Sequence, residues 1–471
     1  MAAIPKHLLE EVPDSWADTS SPLSSSSSSK VSLVSEKLVD SRISDEKAKQ
    51  DGLVKHSEEH RVQVHRSDTS AQLLSAKEWK DLNLRPDLLK GVEAAGFDHP
   101  SKIQASALPI LLHTKDNMIA QSQSGTGKTA CFVLTMLSIV DPTVETVQAV
   151  CTCPTRELAL QIESVILKIG KFSNTQSSVL CGGDEVKKGQ RIKTPIVVST
   201  VGKLKSLFAN KNIDAKKLRL FVLDEADVML SAEGFGPEIM EIKKDFLPAE
   251  CRYLLFSATY NDKVQRFAEV FAPEPRSVLR LAKTDVLRTQ IHQIYVLTKN
   301  EAEKLKFLSD LYSILSVGQS IVFCGTRNSS KAVAEKLRAQ NQDVSLIHGT
   351  EEKVMTAEMR DSVVADFRSG KTRVLVATDV LSRGFDVPSV TMVVNYDLPF
   401  HPMDHNAASP ETYIHRIGRA GRFDAPGIAI SLVTTAQDLQ ILKQIEEYQK
   451  KKVILLDTDV DAIEQYMKDN M

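Results

Sequence analysis

Two short polar segments, each preceded by an apolar run, contain glycine, lysine and carboxylate residues at spacings suited to phosphate chemistry. The first, Ser122-Gln-Ser-Gly-Thr-Gly-Lys-Thr129, follows the run 117–121 and is typical of a phosphate-binding loop. Its glycines let backbone N–H groups face phosphate oxygens at a helix N-terminus. Lys128 would reach the β- and γ-phosphates, and the Thr129 hydroxyl would bind Mg²⁺. The usual pattern begins with Gly where this chain has Ser122, so a glycine-rich turn is the alternative.

The second segment, Leu223-Asp-Glu-Ala-Asp227, follows the apolar run 219–222. A buried strand that ends in two carboxylates is what a metal-dependent phosphoryl-transfer site needs. Asp224 would hold Mg²⁺ through water, and Glu225 would orient and deprotonate the attacking water. An acidic helix N-terminus is the alternative. The phosphate-binding loop upstream favours the catalytic interpretation.

The elements that must position these residues alternate between apolar runs and amphipathic helical stretches from about Ser75 onward. Expected strands in the first block are 117–121, 146–153, 195–199, 218–223 and 253–257. A second block has expected strands at 319–323, 343–347, 373–377, 390–395 and 428–433. Such alternation predicts an α/β fold of parallel sheets covered by helices, with polar motifs at the carboxyl ends of the strands.

At this point the chain closely resembles a known family, because Asp224-Glu-Ala-Asp227 is the name-giving motif of the DEAD-box ATP-dependent RNA helicases. The resemblance runs from about Trp79 to about Tyr448. Further family motifs stand in order at Gly96-Phe97, Pro100, Ile103-Gln104, Pro154–Leu158, Cys181–Gly183, Ser257–Thr259, Ile321–Cys324, Ala377–Asp379, Ser382–Asp386 and His415–Arg422. The resemblance implies two tandem RecA-like parallel-sheet domains.

We therefore expect an ATP-binding domain over residues 75–282 and a helicase C-terminal domain over 289–471, joined by a linker. Residues 1–74 are polar, poor in aromatics and include the serine run 24–29, which predicts a low-complexity, disordered tail. Apolar positions near Leu33 and Leu38 indicate a short regulatory helix within this tail, with unstructured linker as the alternative.

The resemblance implies roles for residues around ATP and Mg²⁺. Gln104 would read the adenine edge, and Trp79 would stack on the ring where the family more often has Phe. Arg419 and Arg422 would act as arginine fingers from the second domain. The expected nucleotide contacts are Trp79, Lys102, Gln104, Ser124, Gly125, Thr126, Gly127, Lys128, Thr129 and the ribose contact Asp386. Coupling between the sites would pass through Asp227, Ser257, Thr259 and His415.

RNA would lie across both domains, and polar groups would hold its backbone through contacts that do not depend on base sequence. The resemblance assigns these contacts to Arg156, Gly183, Thr200 and Gly202 on one side and to Arg327, Thr378 and Arg383 on the other. Thr200-Val-Gly-Lys203 replaces the usual Thr-Pro-Gly-Arg, so we expect that phosphate contact to differ from the family's. Domain closure linked to ATP would separate strands locally, and hydrolysis would release them.

Two features resemble the subfamily that acts in mRNA export at the cytoplasmic face of the nuclear pore. One is the amino-acid sequence of the phosphate-binding loop, and the other is the longer segment that precedes His415, over residues 399–413. This resemblance implies a nucleoporin and an export mediator with inositol hexakisphosphate as partners, and a tail helix that restrains the ATPase until RNA binds. A translation-initiation-type or general ribonucleoprotein-remodelling helicase is the alternative, and a noncatalytic RNA clamp is disfavoured because Glu225 and the arginines are present.

Composition agrees with these expectations. The chain has 471 residues, of which 42% are hydrophobic and 25% charged, enough for two or three cores. The sequence lacks an apolar run long enough to span a membrane, and it lacks a signal-like N-terminus, so we expect no membrane partner. We also expect a monomer that resides in the cytoplasm and nucleus. Six scattered cysteines indicate reduced thiols rather than a zinc site. A net charge of −2 limits indiscriminate nucleic-acid binding but leaves room for local phosphate contacts.

Overall fold

A computed structural model describes residues 62–66, 75–122, 126–231, 234–281, 291–314, 318–347, 356–379, 390–401, 404–420 and 426–470. The expected regulatory helix near Leu33 and Leu38 lies outside the described residues. Among those described, no helix is both long and apolar enough to cross a bilayer.

The first sheet has eight described strands in the order β1-β8-β2-β7-β6-β3-β5-β4. Their bounds are β1 Val62–Arg66, β2 Asn117–Gln121, β3 Ala149–Cys153, β4 Ser177–Leu180, β5 Ile196–Thr200, β6 Leu220–Leu223, β7 Arg252–Ser257 and β8 Arg276–Leu281. All neighbours pair in parallel except β1 and β8, which are antiparallel. Every residue of β3, β6 and β7 is buried, as expected for parallel strands covered on both faces.

Two layers of helices cover this sheet, and together they form the first lobe. The helices are α1 Pro86–Ala94, α2 Lys102–His113, α3 Lys128–Ile139, α4 Arg156–Ile169, α5 Val201–Ala209, α6 Ala226–Ser231, α7 Gly236–Phe246 and α8 Asp262–Phe271. Helices α1 to α4 contribute to one apolar cluster, which includes Leu108, Phe132 and Ile162. Helices α5 to α8 contribute to a second cluster on the other face, which includes Leu204 and Phe271.

The second lobe repeats this plan around a parallel sheet of seven described strands. Its strands are β9 Ile291–Leu297, β10 Gln319–Phe323, β11 Val344–Ile347, β12 Val374–Ala377, β13 Val390–Asn395, β16 Gly427–Val433 and β17 Ile454–Leu456, and a hairpin of β14 Phe400–His401 and β15 Asp404–Ala408 follows β13. The order is β11-β12-β10-β13-β16-β9-β17. Its helices are α9 Glu301–Ile314, α10 Arg327–Arg338, α11 Ala357–Arg368, α12 Pro410–Ile417, α13 Ala436–Gln449 and α14 Val460–Asn470.

The prediction of two parallel-sheet lobes is confirmed, with one correction at the N-terminal side. Residues 62–66, which were expected to belong to the disordered tail, form β1 and pair with β8 from Val62↔Leu281 to Arg66↔Ser277. The alternation of valine with polar residues in Val62-Gln-Val-His-Arg66 is typical of a β-strand.

Candidate active site

The phosphate-binding loop connects β2 to α3, so its backbone approaches the carboxyl end of the first sheet. Gly127 lies immediately before α3 with a φ of 101°, a conformation that favours glycine. A Cβ at this position would lie 2.4 Å from Nε2 of Gln104, so the close approach also requires glycine. The hydroxyls of Ser122 and Thr126 lie 2.5 Å apart and brace the loop. Ser124 and Gly125 lie outside the described residues.

Gln104 is held against this loop by both ends of its side-chain amide. Its Oε1 accepts a hydrogen bond from the backbone N–H of Ser101 (2.8 Å), and its Nε2 donates to the carbonyl of Gly127 (3.1 Å). The first bond belongs to a capping box, in which Ser101 precedes α2 and Gln104 is its third residue. The structure therefore brings the expected adenine reader to the phosphate-binding loop.

The other expected base contacts have different environments. Trp79 is 4% exposed and lies in the apolar core, with its ring centroid 6.3 Å from that of Phe97. Lys102 is exposed at the first residue of α2. The ribose contact expected at Asp386 lies outside the described residues.

The two carboxylates after β6 are buried beside Lys128 at the loop. Glu225 Oε1 lies 3.9 Å from Lys128 Nζ, and Asp224 Oδ1 accepts a hydrogen bond from the N–H of Glu225 at 3.0 Å. Glu225 has a φ of 53°, an uncommon conformation for a non-glycine residue and one that occurs at functional sites. Burial, followed by the charge of Glu225, raises the pKa of Asp224 to about 7, and Lys128 opposes part of this shift.

This arrangement fits a bound triphosphate and Mg²⁺. Among the described residues, Lys128 Nζ and Glu225 Oε2 are buried without a hydrogen-bond partner, which is costly unless a ligand satisfies them. Asp224 and Thr129 offer the oxygen ligands that Mg²⁺ prefers. Thr129 is half-buried in the first turn of α3, directly after Lys128.

Asp227 is hydrogen-bonded within the first lobe and also contacts the second lobe. Asp227 Oδ2 accepts hydrogen bonds from the N–H (2.9 Å) and hydroxyl (2.7 Å) of Thr259, and the Ser257 hydroxyl accepts one from the Asp227 N–H (3.3 Å). His415 of α12 places its Nε2 3.6 Å from Asp227 Oδ2. Within the described residues, ligand atoms of Glu225, Asp227 and His415 all lie within 4.8 Å of one another. The expected coupling residues are thus in mutual contact across the cleft between the lobes.

The arginines of the last motif have distinct environments. Arg416 is buried and bonds both carboxylate oxygens of Asp379, at 2.7 and 2.9 Å, so it stabilises the second lobe itself. Arg419 is 2% exposed, and its Nε donates to the carbonyl of His415 at 3.0 Å. Its guanidinium therefore does not face bulk solvent. Arg422 lies outside the described residues.

The expected RNA contacts lie at strand ends of both sheets. On the first lobe, Arg156 begins α4, Gly183 follows β4 with a φ of 92°, and Thr200 and Gly202 stand at the start of α5. Lys203, the departure from the family pattern, donates to the carbonyl of Asp184.

On the second lobe, Arg327 begins α10 and Thr378 follows β12. The N–H of Thr378 donates to the carbonyl of Ile347 at 3.3 Å. Arg383 lies outside the described residues.

Sequence reasoning missed a set of ion pairs that join the lobes. Arg360 Nη2 lies 2.5 Å from Glu157 Oε1, and Arg156 Nη2 lies 3.2 Å from Asp361 Oδ2. Two adjacent residues of α4 thus meet two adjacent residues of α11 with matched charges. The Arg-Glu and Arg-Asp pairs are visible in the sequence, but only the folded chain brings them together.

Family models match both lobes. Residues 101–267 match the DEAD/DEAH box helicase model, and residues 303–424 match the helicase conserved C-terminal domain. The chain belongs to the DEAD/DEAH box helicase family. This helicase is 40% identical over 448 residues to the ATP-dependent RNA helicase DBP5 of Saccharomyces cerevisiae, covering 94% of this chain and 88% of that protein.

Solved structures of S. cerevisiae Dbp5 are similar to this helicase. Dbp5 bound to RNA and ADP BeF3 superposes with a TM-score of 0.78 at 42% identity, covering 84% of this chain and 99% of that one. A Dbp5 variant bound to Nup159, Gle1, IP6 and ADP has a TM-score of 0.58 at 40% identity, covering 82% and 99%. These similarities confirm the resemblance to ATP-dependent RNA helicases.

Proposed function

We propose that this helicase hydrolyses ATP when an RNA strand spans its two lobes, and that it uses this cycle to remodel ribonucleoproteins during mRNA export at the nuclear pore. The observation that carries the proposal is the contact of His415 with Asp227. This contact places the second lobe beside Glu225, the candidate general base.

On the first lobe, Lys128 would bind the β- and γ-phosphates and Glu225 would accept a proton from the attacking water. Thr129 and Asp224 would hold Mg²⁺, which when bound neutralises phosphate charge and orients the transferring group. The buried, partnerless Lys128 Nζ and Glu225 Oε2 among the described residues support this assignment. Thr126 and Gly127 would contribute to the phosphate cradle, and Gln104 would read adenine.

Closure of the two lobes would bring positive charge from the second lobe to the transferring phosphoryl group. Arg419 lies beside His415, and we assign it and Arg422 to stabilise the spread charge of the transferring phosphoryl, a role worth roughly 10³-fold or more in rate. Hydrolysis then depends on the lobes being together, and RNA bound across both would favour that state. Strand separation would be local, because the bound strand must fit both lobes at once.

The place in mRNA export is supported by the similar Dbp5 structures, which hold RNA in one case and Nup159, Gle1 and IP6 in another. We propose a cytoplasmic-face nucleoporin and an export mediator acting with inositol hexakisphosphate as partners of this chain. We also propose that it acts as a monomer in the cytoplasm and nucleus, with one helicase domain over 75–282, to which β1 at Val62–Arg66 adds a strand, and a second over 289–471. A pull-down with this chain as bait separates the two roles. Recovery of nuclear-pore components supports a role in mRNA export, whereas recovery of translation initiation factors supports an initiation-type helicase.

The direct test is an ATPase assay of the full chain with and without single-stranded RNA, comparing the wild type with Glu225→Gln. We expect strong stimulation by RNA and at least a ~10²-fold loss of turnover in the variant, because the amide cannot accept the proton. Binding of a fluorescent ATP analogue should persist in the variant. RNA stimulation that survives Glu225→Gln would reject Glu225 as the general base.

A further inference from the structure

The ion pairs that join the lobes differ in how far solvent reaches them. The side chains of Glu157 and Arg360 are 1% and 10% exposed, whereas those of Arg156 and Asp361 are 17% and 32% exposed. The first pair is enclosed by protein. The second lies where a polyanion in the cleft can reach it.

The guanidinium of Arg156 is engaged on two sides by carboxylates. Its Nη1 donates to Asp184 Oδ1 at 2.9 Å, while its Nε and Nη2 both donate to Asp361 Oδ2 at 3.3 and 3.2 Å. These are the donors that a phosphate group would use, because phosphate and carboxylate both present paired oxygens to the guanidinium fork.

The two carboxylates are not held equally. Asp184 belongs to the first lobe and is fixed independently, since its Oδ2 accepts the N–H of Cys181 at 2.7 Å and its carbonyl accepts from Lys203. Asp361 comes from the second lobe, and its Oδ1 is buried without a hydrogen-bond partner among the described residues. Asp361 is therefore the carboxylate that an incoming group displaces at lower cost.

We propose that Asp361 occupies, at Arg156, the position that an RNA phosphate takes, so that RNA binds by exchanging its phosphate for this carboxylate. The inference rests on the proposed function, because it concerns the RNA path of the same enzyme. The exchange raises the RNA concentration needed for stimulation, since each binding event must break the contact between Arg156 and Asp361. Asp361 is thus a positioning residue that acts through Arg156.

The test is ATPase activity of the full chain as a function of the concentration of a single-stranded uridine oligonucleotide. Asp361→Asn should lower the half-maximal RNA concentration about two- to fivefold, the size of a partly exposed ion pair, with the maximal rate unchanged. Asp361→Glu, which keeps the carboxylate, should stay near the wild-type value. Asp366→Asn is the matched control, because Asp366 lies on the same helix and its carboxylate pairs with Lys371; it should have no effect.

A double-mutant cycle separates this exchange from a general loss of negative charge. In an Arg156→Gln background, which itself should weaken RNA binding, Asp361→Asn should leave the half-maximal RNA concentration unchanged. An equal shift in both backgrounds, or a weaker RNA response in Asp361→Asn alone, would overturn the exchange while leaving RNA stimulation intact. A wild type that RNA does not stimulate would overturn the proposed function and this inference together.

Discussion

His415 Nε2 lies 3.6 Å from Asp227 Oδ2, so the second lobe contacts a carboxylate that also binds Thr259 through two hydrogen bonds. Thr259 belongs to the segment that follows β7, and Asp227 lies two residues after Glu225. A movement of the second lobe is therefore transmitted to the loop beside the candidate base and to the loop after the neighbouring strand.

Replacing His415 with Ala should lower RNA-stimulated turnover about 10-fold or more, because the close contact of the imidazole with the Asp227 carboxylate across the cleft is lost. The affinity of the first lobe for ATP should be unchanged. Steady-state ATPase and fluorescent-nucleotide titration measure the two quantities. His405→Ala is a suitable control because His405 is exposed on the β14–β15 hairpin. A parallel loss of nucleotide affinity would place His415 in the binding site instead.

The raised pKa of Asp224 predicts that binding of Mg²⁺ weakens as the pH falls through about 7. Only the carboxylate form binds the ion, so binding should release a proton near neutral pH. Calorimetric titration of ATP and Mg²⁺ in buffers of different ionisation enthalpy measures this release. Asp224→Asn should reduce it to the release that ATP itself gives on binding Mg²⁺, and equal proton release in the wild type and the variant would contradict the assignment.

The same shift has a consequence for stability. Because the folded-state pKa of Asp224 is about 7 and its ordinary value is 3.8, the folded protein binds the proton more tightly than the unfolded chain. The resulting stabilisation is complete below about pH 4 and is lost as the pH rises through 7. Asp224→Asn should therefore raise the Tm of the metal-free protein more at pH 8 than at pH 5. Equal changes at both pH values would argue against a raised pKa.

Replacing Arg360 with Gln should impair closure rather than folding. The change leaves the buried Glu157 carboxylate without its partner, and breaking such a pair typically costs ~3–5 kcal/mol in the state that buries it. Because the proposed cycle separates the lobes, we expect a smaller closed population by fluorescence energy transfer between them, with little change in Tm. The double variant Glu157→Gln with Arg360→Gln should close more readily than Arg360→Gln alone, since no charge is left unpaired.

Gly127→Ala should abolish nucleotide binding. The methyl group would lie 2.4 Å from Nε2 of Gln104, and the φ of 101° is unfavourable for alanine. Gly189→Ala is the matched control, because Gly189 also has a positive φ, of 76°, but has no atom within 4 Å of an added Cβ. Equilibrium binding of a fluorescent ATP analogue distinguishes them, and equal losses in both variants would attribute the effect to backbone strain alone.

Truncation of the N-terminal segment should depend on whether β1 is retained. Removing residues 1–61 leaves β1 on β8, whereas removing residues 1–74 turns β8 into a free edge strand. Free edges promote association between chains. We expect the shorter deletion to preserve the Tm and the longer one to lower it and increase light scattering on heating. The shorter deletion is also the appropriate test of whether the tail restrains the ATPase.

Much of this architecture was predictable from local sequence. The strands β2, β10 and β13 have the predicted bounds, because each has consecutive apolar residues with polar residues at one or both ends. Among the described strands, β1, β4, β8, β9, β14, β15 and β17 were not predicted. β4 contains only half-buried residues, and β8 and β9 mix apolar with polar or charged residues near the expected linker.

The residues of the candidate site also fall into two groups, those that the sequence indicated and those that only the folded chain brings together. Lys128, Asp224 and Glu225 were expected at the site because each stands in a motif at a strand end or helix start, where the chemistry follows from residue type, whereas Gln104 was expected from the family resemblance. The pairs Glu157–Arg360 and Arg156–Asp361 were not, since each joins residues of different lobes far apart in the chain. No local sequence pattern indicates which charged residues on two separate helices will form ion pairs.

The engaged amide of Gln104 has a consequence for base selection. Because its two ends already bond Ser101 and Gly127, a purine that reaches this side chain replaces existing hydrogen bonds instead of adding new ones. The gain from the correct base is then modest, while a base that offers the wrong donor or acceptor leaves broken bonds without compensation. Selectivity for adenine would therefore come from the penalty on mismatched nucleotides. Contacts to the base would contribute little of the total binding free energy of ATP.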